Sequence, residues 1–222
     1  MGETAQQELQ THYLSDMDLT KGTGKSSSQF GANGMTATEY RSQFSMWCMF
    51  ASPLTICNDV RFWTDDAWLT KSVTDAAKRK NIRDHKDFDL ETLKNEEMIA
   101  IDQDRMGQPA LLMETRDNGD IEVYMKDLEN GDIALAVLNR GTITANVSLN
   151  LPNYYLTAGQ QYYVRDLWAH DYVPTQADGF TTAVASHETK DEAALLPLRG
   201  AKGVHVVSTV CNGIATSAKV KL

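Results

Sequence analysis

The chain has 222 residues, 42% of them hydrophobic and 23% charged, with a formal net charge of −9. Because the acidic residues are spread along the chain, its field repels phosphate backbones, and nucleic acid is set aside as a partner. No apolar stretch approaches the ~20 residues of a membrane-crossing helix, and Cys48, Cys57 and Cys211 lack metal-ligand spacing. No membrane, metal or cofactor is therefore expected.

Residues 1–10 are polar, without the basic start and apolar centre of a secretory leader, and leave the compartment open. The first clear helix signal comes at Thr36 and Glu39, a Thr-x-x-Glu capping pair ahead of an apolar-rich run. Tyr40, Phe44, Trp47 and Ala51 then follow one helical stripe, which Pro53 ends by steering Ser52 out of the helical region. Residues 54–57 read as a short buried strand closing on the polar Asn58-Asp59. Helix, buried strand and polar end together have the rhythm of an α/β barrel. Residues 64–89 are charged and read as partly helical and exposed, with Trp63 and Trp68 as a possible small apolar face. A further helix is expected over residues 90–104.

After Gly107-Gln108-Pro109 the pattern changes to short alternating or β-branched runs. Strands are predicted at 110–115, 121–126, 133–139, 144–149, 161–166, 180–184 and 203–209. Turn signals such as Asp117-Asn118-Gly119-Asp120 and Glu129-Asn130-Gly131-Asp132 separate them. Several short strands at this spacing predict an antiparallel β-sandwich. The division falls near residue 106: an α/β part over 1–105 and an all-β part over 106–222.

Several segments resemble, in order, the C-terminal part of glycoside hydrolase family 27, which contains the α-galactosidases. They are Gly34-Met35-Thr36, Thr38-Glu39-Tyr40-Arg41, Ala51-Ser52-Pro53-Leu54, Asn58-Asp59-Val60-Arg61 and residues 95–104. In the second half they are Ala134-Leu135-Ala136-Val137-Leu138-Asn139-Arg140-Gly141 and Val164-Arg165-Asp166-Leu167-Trp168-Ala169-His170. The resemblance implies the terminal portion of a (β/α)8 TIM barrel followed by an antiparallel β-sandwich, and retaining hydrolysis of a terminal α-linked galactose.

Retention needs two carboxyl groups about 5–5.5 Å apart. In the family both are aspartates on middle barrel strands, N-terminal to every segment matched here, so no catalytic residue is assigned. Asp16-Met17-Asp18-Leu19 resembles the seventh-strand motif, which makes Asp18 and Leu19 substrate-pocket residues, with Asp16 taking the role of Asp18 if the alignment slides by two. Asp59 and Arg61 are expected to support a strand-to-helix turn. Trp47 and Trp168 are expected in the core, and His170 and His205 are left as surface or turn residues. The partners implied are a terminal α-galactoside in the complete enzyme, and a missing barrel half or a second copy of the chain. The alternative is a non-catalytic sandwich module that stabilises a partner chain or binds carbohydrate.

Overall fold

The computed structural model describes residues 36–54, 59–160, 162–173 and 178–195. Five helices come first: α1 (Ala37–Met49), α2 (Arg61–Thr64), α3 (Asp66–Ser72), α4 (Ala76–Leu93) and α5 (Glu96–Asp102). Eight strands follow: β1 (Leu111–Arg116), β2 (Ile121–Asp127), β3 (Ile133–Asn139), β4 (Ala145–Asn150), β5 (Tyr163–Asp166), β6 (Asp171–Val173), β7 (Gly179–Val184) and β8 (Thr189–Leu195). Among the described residues no strand precedes Leu111. Apart from Leu54 and Asp59, the expected strand at 54–57 and its polar end lie outside them, as does the strand at 203–209.

The capping pair forms at the start of α1 as expected. Glu39 N–H donates to Thr36 Oγ1 at 3.3 Å and Thr36 N–H donates back to Glu39 at 2.6 Å, which satisfies two donors that a helix start leaves open. The apolar stripe carries Tyr40, Phe44 and Trp47 into the core. The helix ends at Met49, ahead of Pro53, and Ala51 turns the chain with a positive φ of 50°.

The helix expected over 90–104 is broken. Helix α4 runs to Leu93, and Asn95 starts α5 by accepting from Glu97 N–H and Met98 N–H at 3.1 Å. An Asn in a helical apolar pattern competes for backbone donors and becomes a cap. The charged segment before it is helical, but its apolar residues are not a free face. Trp63, Leu69 and Ile82 are buried in a small core of their own, with Phe62, Val73 and Leu90 packed against it.

The strands form a six-stranded antiparallel sheet in the order β1-β2-β3-β8-β5-β6 and a two-stranded sheet, β4-β7. Val147, Leu149, Phe180 and Val184 of the small sheet are buried in the same core as the large one, which makes the sandwich. Gly179 begins β7 where a Cβ would lie 2.2 Å from Leu149 O, so a side chain there breaks the pairing. Helices α1 and α5 lie on the other face of the large sheet. Strands β2 and β3 are thus covered on both sides, which explains the nearly unbroken burial of Ile133–Asn139. Ala134 and Ala136 pair with Lys126 and Tyr124 on the helix side, and their small side chains let α1 approach closely. The sandwich confirms the all-β expectation, and its core runs without interruption through residue 106 into α1 and α5.

One charged residue joins these layers. Lys126 is 1% exposed, and its Nζ donates to Ile101 O at 2.5 Å and to Cys48 O at 3.3 Å. Those carbonyls lie at the C-terminal ends of α5 and α1, where helix dipoles favour a cation; Cys48 O also accepts from Ala51 N–H at 3.2 Å. Replacing Lys126 with Met keeps much of the stem's volume but leaves Ile101 O without this donor. Lys126→Met is expected to lower unfolding stability by about 1–3 kcal/mol with an unchanged urea m-value, read from denaturation curves.

Candidate functional site

The expected pocket residues Asp16, Asp18 and Leu19 lie outside the described residues, as do His205, Cys57 and Cys211. Four polar clusters can be described.

Asp59 begins the segment leading into α2. It accepts from Arg61 Nε at 2.8 Å and Nη2 at 2.7 Å, and from Trp68 Nε1 at 2.9 Å. The Arg61 guanidinium also lies 3.8 Å over the Trp68 ring. Arg61 first, and then Trp68, hold the Asp59 carboxyl at about 2. With both oxygens engaged, Asp59 braces the turn, as its pairing with Arg61 suggested.

Glu97, near the start of α5, meets the β5–β6 hairpin. Arg165 Nε and Nη2 each donate to it at 2.7 Å and His170 Nδ1 lies 2.8 Å away. Burial alone would raise this carboxyl, but Arg165 and His170 outweigh it and hold it at about 2. The unassigned His170 therefore has a partner after all. Sequence could not show it, because Glu97 and His170 stand 73 positions apart. The aromatic residues fell as expected: Trp47 is fully buried, and Trp168 is buried with its Nε1–H donating to Ser45 Oγ at 3.0 Å.

Asp102 and Asp104 lie beyond Ile101, on the Lys126 side of the sheet. Burial raises Asp102 to about 6, with the charge of Lys126 opposing it, and Asp102 Oδ1 is buried without a hydrogen-bond partner among the described residues. Burial likewise lowers Lys126, with Asp102 and Asp104 opposing it. Asp104 accepts from Glu129 N–H and Met106 N–H at 3.0 Å, tying the helix exit to the β2–β3 turn.

A hollow of ≈310 Å3 between α1 and the end of β3 is lined in part by Glu39, Ser42, Asn139, Arg140 and His187. Its carboxylate is engaged, since His187 Nδ1 lies 2.7 Å from Glu39. Burial raises the Glu39 carboxyl, but His187 and Thr36 together bring it below the usual range. A second hollow lies at the β2–β3 turn. Asp102, the raised carboxyl, lines neither of them. The arrangement offers a part-buried ion pair, Glu97 with Arg165, that ties α5 to the β5–β6 hairpin. Among the described residues no cluster of three or more His, Cys, Asp or Glu could hold a metal ion, and no helix is long and apolar enough to cross a membrane.

A six-stranded sheet packed on a two-stranded one, with helices on its outer face, defines a β-sandwich backed by helices. Residues 118–190 match the family described as the α-galactosidase C-terminal β-sandwich domain. An α-galactosidase from Coffea arabica is 32% identical over 162 residues, covering 73% of this chain and 36% of the relative. The crystal structure of α-galactosidase I from Mortierella vinacea aligns with TM-score 0.56 at 22% identity, covering 72% of this chain and 36% of that one. A family 27 β-L-arabinopyranosidase from Geobacillus stearothermophilus aligns with TM-score 0.56 at 20% identity, covering 78% and 34%. The chain belongs with the family 27 α-galactosidases, to their C-terminal part. It spans about a third of the length of the curated relatives it matches.

The raised Asp102 carboxyl has a signed consequence. A group near 6 in the folded protein and at its ordinary 3.8 when unfolded favours folding increasingly as pH falls from about 6 towards 4. Asp102→Asn is expected to remove that slope and to stabilise the protein above pH 6. Allowing for its contact with solvent, the gain is on the order of 1 kcal/mol, read from unfolding at pH 5 and pH 7.5.

Proposed function

We propose that this chain is the C-terminal part of an exo-acting, retaining α-galactosidase that hydrolyses terminal α-linked galactose through a covalent glycosyl intermediate. The match of residues 118–190 to the α-galactosidase sandwich family carries this reading, and the α-galactosidase relatives aligned over 73% of the chain support it. On this reading residues 1–105 are the last units of the catalytic barrel and residues 106–222 the sandwich. The core shared across residue 106 suits a division of ancestry rather than of packing.

The sandwich then works as a buttress. It fixes α1 and α5 by Lys126, the Glu97–Arg165 pair and the Trp168–Ser45 hydrogen bond. Barrel active sites are assembled at the C-terminal ends of the strands, so helices held rigidly behind the last strands set the position of late pocket residues. Asp18 and Leu19, or Asp16 in the shifted alignment, contribute to that galactose pocket. A carboxylate there accepts hydrogen bonds of fixed geometry from sugar hydroxyls. The two catalytic carboxyls belong to earlier barrel strands, N-terminal in the family to the segments matched here.

The isolated 222-residue chain is expected to release no nitrophenol from nitrophenyl α-galactoside above the uncatalysed rate; turnover by the purified chain would sink this account of its chemistry. When complemented with the earlier barrel strands of a family 27 relative, the assembly is expected to hydrolyse the substrate. Asp18→Ala in that assembly should then lower kcat/KM by about 10- to 100-fold.

A further inference from the structure

The second hollow has a composition of its own. The β2–β3 turn and the segment from Tyr155 to Tyr162 face each other across ≈750 Å3, within the range of small-molecule sites. Asp132 and Tyr162, both buried, line its inner side, and Asp127, Glu129 and Gln160 add two further carboxylates and an amide. Among the described residues no lysine or arginine lines it.

Tyr155 lines the same hollow and is 80% exposed. Its backbone is left-handed, φ 62° and ψ 17°, a region that bulky L-residues rarely occupy. Its neighbours hold it there. Tyr154 is buried, Leu156 packs against the core, and Thr157 N–H donates to Tyr162 Oη at 2.7 Å. Across the hollow the turn is equally fixed, since Asp132 N–H donates to Asn130 Oδ1 at 2.9 Å and Glu129 N–H to Asp104.

A rigid cleft with one exposed aromatic face, several acceptors and no cation suits a neutral ring that has an apolar C–H face and an edge of hydroxyl donors. Anions are repelled by the carboxylates, and purely apolar ligands would strand them without partners. We propose that this cleft is a carbohydrate subsite, with Tyr155 stacking on a pyranose ring and Asp127, Glu129 and Gln160 accepting from or donating to its hydroxyls. The subsite keeps a saccharide chain on the protein while one end is processed. That the preferred ring is a galactosyl unit rests on the function proposed above; that a neutral sugar binds does not.

The test is an NMR titration of the full 222-residue chain with raffinose, which carries an α-linked galactose, and in parallel with maltotriose and with spermine. Raffinose is expected to shift the amides of Tyr155, Gln160 and the β2–β3 turn. Tyr155→Gly removes the ring and relieves the left-handed backbone, so Tm should hold or rise while the sugar binds about tenfold more weakly. Gln160→Ala, on the same loop, should weaken binding with circular dichroism unchanged. Binding of maltotriose without raffinose at this cleft would keep the subsite and remove the galactosyl preference. No shift at these residues with either sugar up to about 50 mM, binding of spermine alone, or wild-type affinity in Tyr155→Gly would overturn the proposal.

Discussion

A sheet covered on both faces cannot lend water to the helix ends that press against it, and in this protein one ammonium takes water's place. Lys126 rises from the second strand of the large sheet, away from solvent, and its Nζ meets the terminal carbonyls of two helices from different parts of the chain. The cation lies where both macrodipoles are negative, and Asp102 and Asp104 add compensating charge nearby. Lys126 touches both helix ends from the sheet, so it sets α1 and α5 against the sandwich together. Helices that merely rested on Ala134 and Ala136 could slide, because burial of apolar surface has no preferred direction.

The perimeter of the same interface is fixed by polar contacts between residues far apart in sequence. Asn95 Nδ2–H donates to Leu167 O at 3.0 Å, Ser42 Oγ–H to His187 O at 2.9 Å, and Thr189 N–H to Ser42 Oγ at 2.6 Å. Each is directional, and each ties one of the two helices to a different turn or strand of the sandwich. Directional contacts of modest individual strength become a geometric constraint when several must be satisfied together. On the proposed function, that rigidity is what the sandwich contributes to sugar cleavage.

Much of the fold was legible where local chemistry decides local structure. The Thr36–Glu39 box, the strand at Ile133–Asn139 and the two Asn-Gly turns all formed where residue types called for them. Two strands were not foreseen. Strand β6 has only three residues, and β8 has a middle of Lys190-Asp191-Glu192 that gives no apolar alternation; its pairing is set by its neighbours β3 and β5. The polar clusters were invisible for a related reason. Glu97 finds Arg165 only through the packing of α5 on the hairpin, and Lys126 looks in sequence like any solvent-facing lysine on a strand. Ion-pair partners 68 positions apart leave no local signature. The family motifs were readable as an ordered series, while the expected pocket residues fall outside the described part of the chain.

Strand β8 also sets the order in which the molecule can be assembled. It lies between β3 and β5, so the large sheet exists as two separate pieces, β1-β2-β3 and β5-β6, until residues 189–195 arrive to join them. During synthesis β3 waits with an open, apolar edge while more than fifty residues are added, a non-local closure of the kind that slows folding and invites intermolecular pairing. Helices α1 and α5, made earlier, are available to shield the broad face of that waiting strand but not its edge. A nascent chain of this design gains from a chaperone that occupies the gap, and a stop codon shortly before Thr189 would leave two half-sheets with no partner to unite them.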